Sequence, residues 1–370
     1  MAKNIIVLAD GTGQLGGIGA ATNVYKLFNM LEDRTPNQVV YYDPGIGSMR
    51  FGLPAQIFGI GFRRNILDCY QFIFENYQAG DHIYLFGFSR GAATVRSLSA
   101  FIELFGILPA SRRDLIEKAF DIYEMKADDS GESHMQHHER TNWNRRERAA
   151  QAFVKRHHTM WARVRFIGVW DTVAALGGTG RIVNMITDKL FPHSFHNFAL
   201  CPGVDFARHA ISIDDQRKTF HPIIWHKLED DPDRQRLKQV WFCGVHTDVG
   251  GGYDQAELSY YSLDWMIREA ESKGLLFFKN SQAWKEYQAF KMRDEQKRED
   301  VIEGFMHNEQ KGFVGGLYRR EIRSWNDAVH GDLYIHNSVL ARMRNNDNGN
   351  DPGYSTATWI LNRKNYRIEE

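Results

Sequence analysis

Ser89 stands in Gly87-Phe88-Ser89-Arg90-Gly91, a G-x-S-x-G pentapeptide. A serine so placed is a candidate acyl-transfer nucleophile, provided that a base and an acid reach it from elsewhere in the chain. Two later residues have that chemistry. Asp171 follows Val164 to Trp170, which reads as a strand, and His246 follows Lys238 to Gly244. His246 is the candidate general base and Asp171 the acid that would orient it; a turn or N-cap role is the competing reading of Asp171. Asp10, Asp248 and His336 are secondary candidates. His336, in Tyr334 to Ser338, is the rival base, and His246 is preferred because it directly follows a core strand. Asp248 can orient His246, cap the next turn or bind an ion, and the sequence does not choose.

These residues need elements to position them. Asp81 to Phe88 reads as a buried strand and Arg90 to Phe105 as a helix, so Ser89 falls on a strand-to-helix turn, the context that a nucleophile elbow requires. Asn4 to Ala9 is continuously apolar, as in a parallel strand covered on both faces. It runs into the Asp10 to Gly19 glycine loop, after which Thr22-Asn23 caps a helix through Leu31. Gln38 to Tyr42 reads as a strand, Ile46 to Ile60 as a loop and Phe62 to Tyr77 as a helix. Ala207 to Asp215 looks like a short helix and strand, and Lys238 to Gly244 is the last strong strand. Helices are expected at Leu258 to Glu271 and over the charged run Gln282 to Glu303. This alternation predicts an α/β-hydrolase-like fold, a doubly wound, mostly parallel sheet with helical cap insertions. Asp171 and His246 then both lie at the carboxyl edge of the sheet, where such folds place their chemistry. The order Ser89, Asp171, His246 is that of nucleophile, acid and histidine in α/β-hydrolases. The expected organisation is one domain over 1–370, with insertions or cap at 110–160 and 177–206 and a helical C-terminal decoration at 275–370.

Composition removes several alternatives. Lys plus Arg equals Asp plus Glu at 46 each, which gives no electrostatic case for nucleic-acid binding and leaves only local, peripheral membrane contact. Cys69, Cys201 and Cys243 are widely spaced and odd in number, so neither a disulfide framework nor a zinc pattern follows. The histidines His134, His137, His138, His157 and His158 have no H-E-x-x-H spacing and read as a solvated insertion rather than a metal site. The N-terminal glycine loop lacks the P-loop lysine and the G-x-G-x-x-G spacing, which makes nucleotide binding a minor alternative. The apolar run Ile5 to Leu8 is too short for a signal peptide, and no segment approaches a membrane span. The expectation is a protein cytoplasmic on synthesis, whose export would need a dedicated secretion system.

Four stretches together carry a resemblance: Asp10-Gly11-Thr12, Gly87-Phe88-Ser89-Arg90-Gly91-Ala92, Gly168-Val169-Trp170-Asp171-Thr172-Val173 and the run Gly244 to Tyr253. Ala210 to Asp215 with Phe220 to Trp225 looks like a fifth. Over about residues 4 to 260 the chain resembles the α/β-hydrolase-like family, once a domain of unknown function, that includes phospholipase effectors of bacterial type VI secretion systems. In that family the elbow serine is the nucleophile and an aspartate and a histidine complete a triad, roles that map onto Ser89, Asp171 and His246. The resemblance implies a serine-dependent ester hydrolase, lipase- or phospholipase-like, working through an acyl-enzyme on an ester or phospholipid substrate. The N–H of Arg90 is the expected first oxyanion donor, with the second from Gly11 or Thr12. No cofactor or metal is expected. A non-catalytic binding protein that retains the fold is the alternative from another class.

Overall fold

The computed structural model describes residues 2–11, 20–45, 55–125, 145–173, 199–229, 231, 236–295, 304–309, 319–347 and 365–370. Its centre is one eight-stranded sheet, in the order β2-β1-β3-β4-β5-β6-β7-β8. The strands are β1 (Asn4–Ala9), β2 (Gln38–Asp43), β3 (His82–Phe88), β4 (Val164–Trp170), β5 (Val204–Ser212), β6 (Leu237–Phe242), β7 (Tyr334–His336) and β8 (Arg367–Glu369). Every adjacent pair is parallel.

The apolar runs of the central strands follow from burial on both faces. Ile5, Val7, Ile83 and Leu85 join one core, while Ile6, Leu8, Tyr84 and Phe86 join the other. The helices divide accordingly. Residues of α2 (Ala55–Asn76), α3 (Arg90–Phe105), α4 (Leu115–Tyr123) and α5 (Arg145–His157) fill the first core. Residues of α1 (Asn23–Met30), α7 (Glu257–Glu271) and α8 (Gln282–Glu295) fill the second. The sheet is therefore doubly wound, as α/β chains with parallel strands require. Of the shorter helices, α6 (His246–Gly250) follows β6 and α10 (Asn337–Asp347) follows β7 in sequence, while α9 (Asp327–His330) precedes β7.

Strand order reverses at β1: the chain steps outward to β2, then back past β1 to β3. In doubly wound folds ligands bind at such a reversal, here beyond the carboxyl ends of β1 and β3. The Asp10-Gly11 turn and Ser89 are the residues that follow those two strands.

Several expectations need correction. Ala207 to Asp215 contains no helix; β5 runs through to Ser212. Buried polar side chains disguised it: Arg208 pairs with Glu269 at 2.7 Å, and His209 accepts from the Thr172 N–H at 3.2 Å. The helix expected from Phe62 begins at Ala55 within what reads as loop, because Gly59 and Gly61 interrupt its pattern. The C-terminal stretch supplies the last two strands of the sheet, β7 and the edge strand β8, each of three residues, too short to show a period. Residues 12–19, 46–54, 126–144, 174–198 and 296–303 lie outside the described residues. With them go Thr12, His134, His137, His138 and nearly all of the 177–206 stretch.

Candidate active site

The elbow is built by close approach. Ser89 adopts φ 56° and ψ −118°, a region that a non-glycine residue occupies only under strain. Its N–H donates to the Trp170 carbonyl at 3.0 Å, which ties the turn to the end of β4. A Cβ on Gly87 would lie 2.5 Å from the Gly91 carbonyl oxygen, and one on Gly91 would run into the Ala9 carbonyl at the end of β1. Gly91→Ala is accordingly expected to destabilise the fold by about 1–3 kcal/mol, as overpacking does. A shift of the urea midpoint at unchanged slope measures it, and a midpoint equal to that of the parent chain would contradict the crowding.

Ser89 does not cap its own helix. Its Oγ instead lies 2.9 Å from Nε2 of His246, the first residue of α6. On the other side of the ring, Nδ1 is 2.6 Å from Oδ2 of Asp171. Phe88 and Phe220 flank the imidazole at centroid distances of 4.7 and 5.2 Å. Gly250, in the glycine run after His246, lets the chain pass against Phe88: a Cβ there would enter that ring. The His246 N–H donates to Asp215 Oδ2 at 3.2 Å, and Asp215 in turn holds Arg217 at 2.6 Å.

Asp171 is fully buried. Burial alone would raise its carboxyl, but the Arg323 guanidinium overrides that and, with the His246 hydrogen bond, holds it below the usual carboxylate range. Ionised, Asp171 can only accept, so Nδ1 of His246 carries the proton and Nε2 is left to accept from the Ser89 hydroxyl. A hydroxyl, an imidazole and a buried carboxylate linked in this order can move a proton off the hydroxyl as it attacks a carbonyl carbon.

The other candidates fall elsewhere. Gly11 borders the nucleophile, since a Cβ on it would lie 3.6 Å from the Ser89 Cβ. Its N–H, however, donates to Asp10 Oδ1 at 2.7 Å. Arg90 opens α3 directly after Ser89, so its backbone N–H sits at the helix end that favours negative charge. Asp248 does not reach the His246 ring: Oδ2 accepts from the Val245 N–H at 3.0 Å, and Oδ1 takes Nδ1 of His307 at 2.6 Å. It caps the turn that carries His246. His336 ends β7, stacked on Phe242 at 4.5 Å, with Nδ1 accepting from the Ser338 N–H and burial pushing it down to about 3. It takes no part in the Ser89–His246–Asp171 chain.

Asp10 sits beneath this region, accepting from the Thr22 and Tyr42 hydroxyls at 2.6 and 2.7 Å. Burial pushes it up to about 6 against those hydrogen bonds, with Asp43 adding to the rise. A carboxyl raised in the folded state contributes stability that is complete below its unfolded pKa and lost as pH rises through about 6. Asp10→Asn removes that loss. Its stability relative to the parent chain should therefore grow by about 2–3 kcal/mol between pH 4 and pH 7.5. Urea titrations at the two pH values measure the change, and a gap that does not grow would contradict the assignment.

Arg323, Asp215, Arg217 and His307 were not singled out from sequence as part of the site. Arg323 lies among Arg319, Arg320 and Glu321, where it reads as one more surface charge. Asp215 had a signal, the Asp214-Asp215 pair at the end of an apolar run.

The strand order and elbow define an α/β-hydrolase-like protein. A family model described as "T6SS, Phospholipase effector Tle1-like, catalytic domain" matches residues 3–269, and the chain belongs to that family. The uncharacterized protein YEL023C of Saccharomyces cerevisiae is 29% identical over 264 residues, 66% of this chain and 36% of its own length. Among solved structures, an uncharacterized protein from Pseudomonas aeruginosa aligns at TM-score 0.46 and 16% identity, covering 78% of this chain and 49% of that one. The Tle1 effector bound to the VgrG spike of the type VI secretion system aligns at TM-score 0.35 and 16% identity, covering 69% and 52%. The chain thus spans about a third of the curated relative and about half of each of these structures. Among the described residues no helix is long and apolar enough to cross a membrane, and no group of three His, Cys, Asp or Glu could hold a metal ion.

Proposed function

We propose that the chain is a serine-dependent carboxylic ester hydrolase acting on phospholipid acyl esters. The observation that carries this reading is the continuous hydrogen-bonded chain from Ser89 Oγ through His246 to Asp171, at the crevice of the sheet. Ser89 attacks the ester carbonyl while His246 takes its proton, and His246 then returns the proton to the leaving alcohol. Asp171 holds the ring and stabilises its charged form. Water, activated by the same imidazole, releases the acyl group from Ser89.

The Arg90 N–H is the first oxyanion donor in this scheme, and removal of such a donor typically costs about 3–4 kcal/mol of transition-state stabilisation. The second donor comes from Gly11 or Thr12; Gly11 can serve only when its N–H turns away from Asp10. The family description supplies the lipid substrate class, and balanced charge suits peripheral rather than spanning contact with a lipid surface.

Incubation with phosphatidylcholine vesicles tests this, with fatty acid and lysophospholipid identified by mass spectrometry. Release of both by the parent chain and by none of the Ser89→Ala protein is the expected result. Release of phosphate or headgroup without fatty acid would contradict acyl-ester chemistry.

A further inference from the structure

Asp171 receives more than His246. Its Oδ1 accepts from the Ser212 N–H at 3.0 Å and from Nη1 of Arg323 at 2.6 Å, and its Oδ2 takes Nη2 of Arg323 at 3.0 Å beside the imidazole. The guanidinium is fully buried. Its same two nitrogens also donate to the Ser212 and Phe220 carbonyls, both at 2.6 Å. One planar fork therefore links the acid at the end of β4, the end of β5 and the turn that places Phe220 against His246. Lysine could not do this, because its single nitrogen has no paired geometry.

Arg323 lies beyond the 3–269 span that the family model covers. Two neighbours from the same part of the chain act similarly: His307 binds Asp248, and Glu309 binds Arg217 at 3.1 Å. We propose that Arg323 is a positioning residue for the reaction, fixing both oxygens of the Asp171 carboxylate so that it meets Nδ1 of His246 in register. This rests on the ester-hydrolase reading of Ser89, His246 and Asp171.

The charge of Arg323 has a kinetic consequence. Among the described residues, the groups that face the Asp171–His246 pair are Arg323, Asp215 with Arg217, His209 on β5 and the Ser89 hydroxyl, while Asp248 on α6 is turned to Val245 and His307. Of the cations, only Arg323 bonds the acid directly among the described residues. A proton on the imidazole makes the Arg323–Asp171–His246 group net positive, whereas without the arginine the same proton would neutralise a buried carboxylate.

The test is the pH profile of kcat/KM on a short-chain p-nitrophenyl ester, for the parent chain, Arg323→Gln and Arg323→Lys. In Arg323→Gln the acidic limb should move up by about 1 pH unit or more. At the optimum kcat should fall about 10²-fold with KM little changed, since Arg323 acts through Asp171 rather than on substrate. Arg323→Lys keeps the charge and loses the fork, so its limb should stay in place while kcat falls. Added to Asp171→Asn, the glutamine substitution should bring no further loss. A folded Arg323→Gln protein with the parent limb and kcat would overturn the proposal. If that variant does not fold, a parent-level kcat in Arg323→Lys overturns it equally. Fluorophosphonate labelling separates the two levels. A parent chain that takes no probe sinks the hydrolase reading itself, while a labelled parent with indifferent Arg323 variants sinks only the role of Arg323.

Discussion

Replacing Ser89 by alanine is expected to lower kcat/KM for ester hydrolysis by at least about 10⁴-fold, with the fold intact. The size of the effect follows from the loss of the nucleophile, since a hydrogen-bonded His246 and Asp171 have nothing left to deprotonate. The fold should survive because alanine keeps the Cβ, and among the described residues the Ser89 hydroxyl hydrogen-bonds His246 and no other side chain. The urea midpoint should change by less than the parent-to-Gly91→Ala difference, because the elbow backbone and both glycines are untouched. Activity within tenfold of the parent would mean that another group performs the chemistry.

Asp171→Asn is expected to damage both activity and stability, and that combination distinguishes it from Ser89→Ala. An asparagine presents an amide N–H₂ to one of its two side-chain donor partners, His246 Nδ1 or Arg323, so the tautomer that leaves Nε2 free to accept is no longer enforced. In the serine-protease triad the corresponding change lowers kcat about 10⁴-fold, and a loss of that order is expected here. Stability should fall as well, by about 3–5 kcal/mol, because Arg323 keeps its buried charge without a counter-ion. The carboxyl is held low in the folded state, so its contribution is present above the unfolded carboxylate pKa and lost as pH falls below it. The stability gap between parent and variant should consequently narrow as pH is lowered below about 4. Kinetics with urea unfolding at pH 7 and pH 3 measure both effects. A variant that loses activity but no stability would show that Arg323 does not depend on Asp171 for its charge balance.

The parts of this site that could be read from sequence are those governed by local rules. The elbow at Ser89 needs small residues on either side and a strand-to-helix context, all within about ten residues. Asp171 and His246 could be placed because each comes after a strand whose carboxyl half is apolar, Phe166 to Trp170 and Val240 to Phe242, as strands covered on both faces tend to be. What escaped was long-range. Arg323 is 152 residues from Asp171 in sequence, and nothing in its own neighbourhood distinguishes a buried guanidinium from a solvated one. The first part of β5, which reads as a helix, escaped for a related reason, since Arg208 and His209 are polar residues satisfied inside the fold by Glu269, Thr172 and Gln239. Asp248 shows the opposite case. Its three possible roles are equivalent in sequence, and the acceptance of the Val245 and His307 donors selects the capping one. His336 ends a strand, but that strand lies near the sheet edge, next to β8 and away from the β1–β3 switch point.

The central claim is that Ser89 is a nucleophile activated by His246. Its most direct measurement is the reaction of the parent chain with an alkyl fluorophosphonate, followed by digestion and mass mapping of the adduct. The expected result is one stoichiometric phosphonyl group on the peptide containing Gly87 to Gly91, formed slowly or not at all in His246→Ala. Labelling that spares Ser89, or that proceeds at the parent rate without His246, would contradict the account.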